Sequence, residues 1–166
     1  QIRYARAMLQ DALGQPAEAE QDLTRIVQAE PNNAVALNAL GYILTTRTDR
    51  LNEARDYIER ALQLDPDNPA ILDSMGWVLF KRGKFAESLE YLEKASSDRD
   101  GEDPTILEHL GDCQQKLNKK QEAVKNWKTA LKLARDEKRP DKKLIQRLEQ
   151  KLKDAGEEVK SPKPKP

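Results

Sequence analysis

The chain has 166 residues, of which 37% are hydrophobic, 35% charged and 5% aromatic, and its formal net charge is zero. So few apolar and aromatic side chains argue against one large globular core and favour a helical array, in which each helix buries a narrow stripe. Its single cysteine, Cys113, excludes an intramolecular disulfide, and no stretch approaches the roughly 20 apolar residues of a membrane-spanning helix.

The first predicted helix, in QIRYARAMLQDAL, is already under way at the first residue of the sequence. We therefore expect this sequence to be a piece of a longer protein. A second helix follows, with Ala19, Leu23 and Ile26 on one face and Pro31 at its end. Proline disfavours helical conformation in the residue before it, so residues 1–33 are predicted to form one helical hairpin.

The next three predicted hairpins repeat this arrangement with a period close to 34 residues. Gly41, Gly76 and Gly111 are spaced 35 residues apart, and each lies in a helix after a bulky apolar residue. Glycine within a helix costs about 1 kcal/mol relative to alanine, so its recurrence indicates a close approach between two helices. The second helix of each hairpin carries small residues at matching positions, which are Ala54, Ala61, Ser88, Ala95, Ala123 and Ala130.

These residues resemble the tetratricopeptide repeat, a helical hairpin of about 34 residues with small residues in each helix and a proline near its end. The resemblance covers residues 1–137 and implies an all-α, right-handed α-solenoid of about four repeats. The predicted repeats are 1–33, 34–68, 69–103 and 104–137. The inner wall of such a solenoid, built from the first helix of each hairpin, is its usual binding surface.

After the fourth repeat, residues 138–156 predict one more helix, which begins near Asp141 and ends near Gly156. Leu144, Leu148 and Leu152 form one apolar stripe on an otherwise charged helix, which is typical of a helix that caps the last apolar face of an array. The tail, residues 157–166, is rich in Pro and Lys and is predicted to be a disordered basic segment.

The sequence carries no constellation that predicts catalysis, a metal site or a cofactor. His109 and Cys113 lie four residues apart, but two ligands are too few for a zinc site, and a nucleophile–base pair would lack a third group to orient it. Glycine-rich phosphate loops and the common hydrolase motifs are absent from the sequence. We therefore expect a protein that is not an enzyme.

Helical rotation of about 100° per residue places Asp73, Trp77 and Phe80 on a face beside the buried stripe of the third repeat. This face is predicted to line the groove, although Trp77 and Phe80 could instead pack against the next repeat's first helix. The same rotation predicts a groove lined by Asn38, Tyr42, Thr45, Thr46, Asp73, Trp77, Phe80, Lys81, Glu108, Asp112, Gln115 and Lys116.

Aromatic side chains on a concave wall favour a protein or peptide partner. The expected function is therefore an interaction scaffold or adaptor. A structural spacer that self-associates through its end repeats is the alternative. Some members of the family hold the C-terminal carboxylate of chaperones with Lys, Asn and Arg, but the predicted face offers Asn38 without a Lys or Arg pair in neighbouring repeats.

Charge is unevenly distributed, since residues 1–115 carry 12 Lys and Arg against 21 Asp and Glu, and residues 116–166 carry 17 against 8. A basic end can bind nucleic acid, but no aromatic residues are interleaved with its lysines to stack on bases, apart from Trp127 at a core position. A solvated basic helix is the simpler interpretation.

The run ALNALGYIL, followed by LDPDNPAILDSMGWVLFKRGKFAESLEYLEKA, is similar to the last repeats of long proteobacterial tetratricopeptide lipoproteins. Members of that group lie on the periplasmic face of the outer membrane, and one is an adaptor that brings substrates to a carboxyl-terminal processing protease. This resemblance implies a periplasmic location, and a protease or its substrates as partners.

Overall fold

The computed structural model describes residues 1–97 and 103–159, and these form nine α-helices and no β-strand. Within these ranges, no helix is long and apolar enough to cross a membrane. The helices are α1 (Ile2–Ala12), α2 (Pro16–Ala29), α3 (Ala34–Arg47), α4 (Leu51–Leu64), α5 (Pro69–Lys81), α6 (Phe85–Ser96), α7 (Pro104–Lys116), α8 (Lys120–Asp136) and α9 (Lys142–Asp154).

The inner helices of the second, third and fourth repeats each begin at a side-chain cap, whereas α1 has none. Asn33, Asn68 and Asp103 each accept a hydrogen bond from a backbone N–H in the first turn of α3, α5 and α7, respectively. Asp141 caps α9 in the same way. Because the first turn of a helix has no internal acceptors for its N–H groups, such caps fix where each helix begins.

The helices form two layers, with α1, α3, α5 and α7 inside and α2, α4, α6 and α8 outside. Each inner helix packs most extensively on the outer helix that follows it, and each outer helix also packs on the next inner helix. Contacts also join α3 to α5 and α5 to α7, and α9 packs on α8. The chain is therefore an all-α solenoid of four stacked hairpins followed by a capping helix.

Close approach within each hairpin depends on the recurring small residue of the inner helix. A Cβ atom added to Gly41 would lie 2.5 Å from Ile58 Cγ1 and 2.8 Å from the carbonyl oxygen of Ala54. In the first hairpin this position is filled by Ala7, which is fully buried and lies 12 residues before Ala19, the same separation as between Gly76 and Ser88. At these positions the backbone of the inner helix therefore lies in direct contact with the outer helix.

The capping helix covers the end of the core. Leu144, Leu148 and Leu152 are buried against the outward face of α8, which contributes Trp127 and Leu131. Of the predicted basic tail, only residues 157–159 lie within the described part, where they are not helical and Glu157 pairs with Lys128. The rest of the tail, residues 160–166, lies outside it.

Candidate functional site

A groove of about 820 Å³ runs along the inner layer and is lined by residues of α1, α3, α5, α7 and α9 and by Asp141, the cap of α9. Six of the predicted groove residues line it: Tyr42, Thr46, Trp77, Lys81, Glu108 and Asp112. Helix α9 adds a cationic border, which the prediction from the repeats did not include. That border consists of Lys142, Lys143, Arg147 and Lys151, and the acidic cap residue Asp141 lies beside it.

The other six predicted residues line three smaller pockets that adjoin the groove. Asn38 and Asp73 share a pocket of about 230 Å³ with Tyr42, and Thr45 lies in one of about 380 Å³. The pocket that contains Phe80, Gln115 and Lys116 has a volume of about 300 Å³ and shares Asp112 with the groove. The twelve residues therefore line the groove and three pockets that share residues with it, although Thr45, Asp73 and Glu108 are buried. Their role in binding stays a prediction.

The indole of Trp77 both lines the groove and packs against the next repeat. It stacks on the His109 imidazole of α7 with ring centres 3.9 Å apart and an interplanar angle of 11°, and on Phe80 at 4.8 Å and 7°. The Lys81 ammonium lies 5.3 Å from its ring centre, within cation–π range. Trp77 is half-buried, so it presents a fixed aromatic surface.

A buried hydrogen bond orients this aromatic cluster. His109 Nδ1 lies 2.9 Å from Asp73 Oδ1 and 3.1 Å from Oδ2, and both side chains are buried. An ionised carboxylate only accepts hydrogen bonds, so Nδ1 carries the proton and donates it to Asp73. Asp73 is therefore engaged within the protein. Sequence reasoning missed this role of His109, although the separation of 36 residues is close to one repeat.

The predicted acidic patch on α7 is neutralised by α9. Arg147 donates two hydrogen bonds to Glu108, at 3.0 and 2.9 Å, and Lys151 bridges Glu108 and Asp112 at 2.7 Å each. The Glu108 side chain is only 3% exposed, whereas the side chains of Arg147 and Lys151 are 51% and 26% exposed, so a buried carboxylate meets cations that remain partly in water. The repeat pattern alone did not reveal them, because both cations come from outside the repeats.

The pKa values of the two carboxyl groups of this cluster are shifted in opposite directions. Burial alone would raise the pKa of Glu108, but hydrogen bonds and charge from Arg147 and Lys151 outweigh it and lower the pKa. Burial raises the pKa of Asp112 despite the favourable charge of Lys151. Glu108 is thus the carboxylate whose charged form the fold stabilises.

The remaining polar side chains of α3 are largely turned towards the protein. The Thr45 hydroxyl donates to the Gly41 carbonyl at 2.8 Å, and that of Thr46 donates to the Tyr42 carbonyl at 2.9 Å. Burial, reinforced by the nearby charge of Asp73, raises the pKa of Tyr42 to about 12. Tyr42 therefore remains a neutral phenol throughout the physiological range and offers an aromatic ring with a polar tip.

His109 and Cys113 do not form a nucleophile–base pair. Cys113 is buried, its Sγ donates to the Phe85 carbonyl at 3.2 Å, and burial raises the pKa of its thiol. A raised pKa disfavours the thiolate that would be the nucleophile. No cluster of His, Cys, Asp and Glu that could hold a metal occurs within residues 1–97 and 103–159.

Solved structures similar to this chain share its fold. A thermophilic tetratricopeptide repeat protein of Thermus thermophilus, TTC0263, aligns with a TM-score of 0.73 and 20% identity over 90% of this chain and 79% of its own. PilF of Pseudomonas aeruginosa aligns with a TM-score of 0.71 and 20% identity, over 92% of this chain and 68% of its own. An O-GlcNAc transferase of Thermobaculum terrenum aligns with a TM-score of 0.64 and 22% identity, over 68% of this chain and 21% of its own. Identities this low show the fold alone.

A curated relative is the TPR repeat-containing protein PA4667 of Pseudomonas aeruginosa, which is 47% identical over 55 residues. These residues are 33% of this chain and only 9% of that protein. Family models described as tetratricopeptide repeat match residues 4–69, 70–99 and 104–137. The three matches cover most of the sequence and follow the hairpins of the structure, so the chain belongs to the tetratricopeptide repeat family.

Proposed function

We propose that this chain is a protein-interaction scaffold that binds a segment of its partner in the groove of the inner layer. The observation that carries this proposal is the continuous groove, about 820 Å³ in volume, with Tyr42 and Trp77 on its wall. Aromatic side chains held in place lose little conformational entropy on binding. Trp77 meets this condition because it is stacked on both Phe80 and His109.

A binding role suits the site better than catalysis. Among the described groove residues, the acidic side chains are engaged in ion pairs or caps, and the imidazole of His109 is buried and bonded to Asp73. A general acid or base has to reach the substrate by a hydrogen bond. A wide groove with fixed rings and surrounding charges is suited instead to hold an extended or helical segment.

The test is an affinity pull-down from the source cell with the intact chain and three variants. Tyr42→Ala and Trp77→Ala are expected to lose the specific partner. Tyr57→Ala is the matched control, because Tyr57 is a half-buried aromatic residue of the outer helix α4. Circular dichroism establishes that each variant is folded. A partner retained by both groove variants would contradict groove binding.

We further propose, from the resemblance in the sequence, that the full-length protein is a periplasmic lipoprotein that acts as an adaptor for a carboxyl-terminal processing protease. The 47% identity to a Pseudomonas aeruginosa repeat protein supports a proteobacterial relationship. The full-length protein should then fractionate with the outer membrane, and the pull-down should recover a protease of this class or its substrates. Recovery in the cytosolic fraction would contradict the location.

Self-association through the first repeat is the second candidate function, and one observation favours it. Leu9 is 58% exposed, whereas the residues at its position in the next two repeats, Ile43 and Val78, are 2% and 0% exposed. Ile2 is likewise 88% exposed, whereas Ile71 is 2% exposed. An apolar stripe that is buried within the array is therefore open at its first helix.

Sedimentation over a hundredfold range of protein concentration tests this candidate. Self-association predicts a mass that rises with concentration, and the double variant Ile2→Ser, Leu9→Ser should abolish that rise. A mass equal to one chain at every concentration would eliminate self-association.

A further inference from the structure

After its ion pairs are formed, the groove keeps an excess of positive charge. Asp11 is paired with Arg47 at 2.8 Å, and Glu108 and Asp112 are paired with Arg147 and Lys151. The last groove carboxylate, Asp141, accepts hydrogen bonds from two backbone N–H groups of α9. Each carboxylate that lines the groove within the described residues is therefore already engaged.

Three lysines of the groove lack such a partner. Lys81, Lys142 and Lys143 line the groove, their side chains are exposed, and they form no ion pair within residues 1–97 and 103–159. Lys81 makes a cation–π contact with Trp77. The groove therefore presents free positive charge beside its aromatic residues, although α7 alone would have made this wall acidic.

The position of Lys142 and Lys143 is unfavourable for the helix that carries them. They are the first two residues of α9, and the acidic residue at this end of the helix is its N-cap, Asp141, since the first turn itself contains none. Cations near a helix N-terminus oppose the helix dipole, at a typical cost of about 0.3–1 kcal/mol each. Asp141 offsets part of this repulsion, and a negatively charged partner beside the two lysines would offset more of it.

We propose that the groove takes an acidic segment of its protein partner, which Lys81, Lys142 and Lys143 recognise by charge while Tyr42 and Trp77 supply the apolar contact. This inference rests on the proposed function, because it names the chemistry of the segment bound in the same groove. Helix α9 sets the preference, since its Arg147 and Lys151 remove the carboxylates of α7 from recognition.

A protein segment fits the groove better than a nucleic acid. Sequence-tolerant binding of single strands needs exposed aromatic faces on which bases stack. The ring of Trp77 already stacks on His109 and Phe80. The engaged carboxylates Asp11 and Asp141 also lie in the groove among the cations, which disfavours a continuous phosphate backbone.

The test is selection of a phage-displayed library of random 12-residue peptides on the whole chain. We expect the selected peptides to be enriched in Asp and Glu. The dissociation constant of the best peptide, measured by fluorescence polarisation, is expected to rise at least about tenfold in the triple variant Lys81→Gln, Lys142→Gln, Lys143→Gln, and to rise with salt in the intact chain. The matched control changes three exposed lysines outside the groove, Lys125, Lys132 and Lys153, to Gln and should alter it less than about twofold.

The outcomes separate this inference from the proposed function. Selected peptides without acidic enrichment whose binding still depends on Tyr42 would leave groove binding intact and overturn the charge preference. Equal weakening by the control variant would also overturn it. Competition by a thymine oligonucleotide as strong as that by the unlabelled acidic peptide would show a general polyanion site instead. Failure to select any binder would count against both.

Discussion

Asp73 and His109 link the inner helices of the third and fourth repeats through a buried hydrogen bond of 2.9 Å, and His109 in turn stacks on Trp77. The carboxylate, the imidazole and the indole thus form a chain of contacts from α5 to α7 and back to α5. The exposed part of Trp77 in the groove is therefore positioned by a neighbouring repeat, and its orientation depends on the stacking of the two hairpins.

His109→Ala is expected to lower the free energy of unfolding by about 1–3 kcal/mol, because Asp73 loses its partner in a buried site. Urea denaturation measures this change. A double-mutant cycle with Asp73→Ala should give a coupling energy of at least about 0.5 kcal/mol. The control cycle pairs His109 with Asp56, an exposed residue of α4, and should give none. Additivity between Asp73 and His109 would contradict the link.

Gly41→Ala is expected to destabilise the chain more than Gly76→Ala. An added Cβ at Gly41 would meet the Ala54 carbonyl oxygen at 2.8 Å, whereas at Gly76 it meets the Leu92 Cγ atom at 2.6 Å and the nearest backbone oxygen only at 3.3 Å. At Gly41 the Ile58 side chain and a backbone carbonyl would both have to shift, whereas at Gly76 the close contacts are with the buried side chain of Leu92. Overpacking of this kind costs about 1–3 kcal/mol, against a helix-propensity gain of about 1 kcal/mol.

Thermal and urea denaturation of the two variants provide the measurement. Leu92→Ala supplies a check, since removing that side chain makes room for the new Cβ. The double variant Gly76→Ala, Leu92→Ala should then be less destabilised than the sum of the two single variants. Strict additivity of the Gly76→Ala and Leu92→Ala effects would contradict a close contact between these two residues. Equal stability of Gly41→Ala and Gly76→Ala would contradict the predicted difference between the two positions.

Lys151→Met is expected to weaken the docking of α9 by about 1–3 kcal/mol, because it leaves Glu108 with one cation and Asp112 with none. Hydrogen exchange of the α9 amides should accelerate accordingly, since local opening controls their protection. Lys153→Met is the matched control, because Lys153 is an exposed residue of the same helix. Equal acceleration in both variants would show that the ion pairs of Lys151 do not hold α9 in place.

The stabilisation by Glu108 is expected to disappear in acid. Its pKa in the folded state is lowered, so its charge stabilises the fold above its ordinary pKa and stops doing so as pH falls through the lowered value. The difference in unfolding free energy between the intact chain and Glu108→Gln should therefore be largest above about pH 5 and shrink below it. Chemical denaturation at a series of pH values measures it.

Asp112 is the internal comparison for this titration, because its pKa is raised. A raised pKa favours the protonated form in the folded state, so the contribution of Asp112 to stability decreases as pH rises through that pKa. The pH dependence of the unfolding free energy that is lost in Asp112→Asn should accordingly have the opposite sign to the one lost in Glu108→Gln. If the two variants change the pH profile in the same direction, the electrostatic account of the α7–α9 contact is wrong.

Much of the fold could be predicted from the sequence because its signals are local. The period of Gly41, Gly76 and Gly111, and the apolar stripe of α9, depend only on spacing within a helix, and both were predicted. The face that carries Tyr42 and Trp77 followed from helical rotation. The contacts of His109 did not, because its ring could be assigned to core, metal or catalysis until its neighbours were known.

The sequence by itself determined that this protein is a stack of helical hairpins closed by an amphipathic helix, because small residues, prolines and apolar stripes act over one or two turns. Only the tertiary structure decided which charges of the groove are free. Glu108 and Asp112 are neutralised by Arg147 and Lys151, up to 43 residues further along the chain. Such pairing depends on the distance between side chains of different helices, which no local spacing encodes.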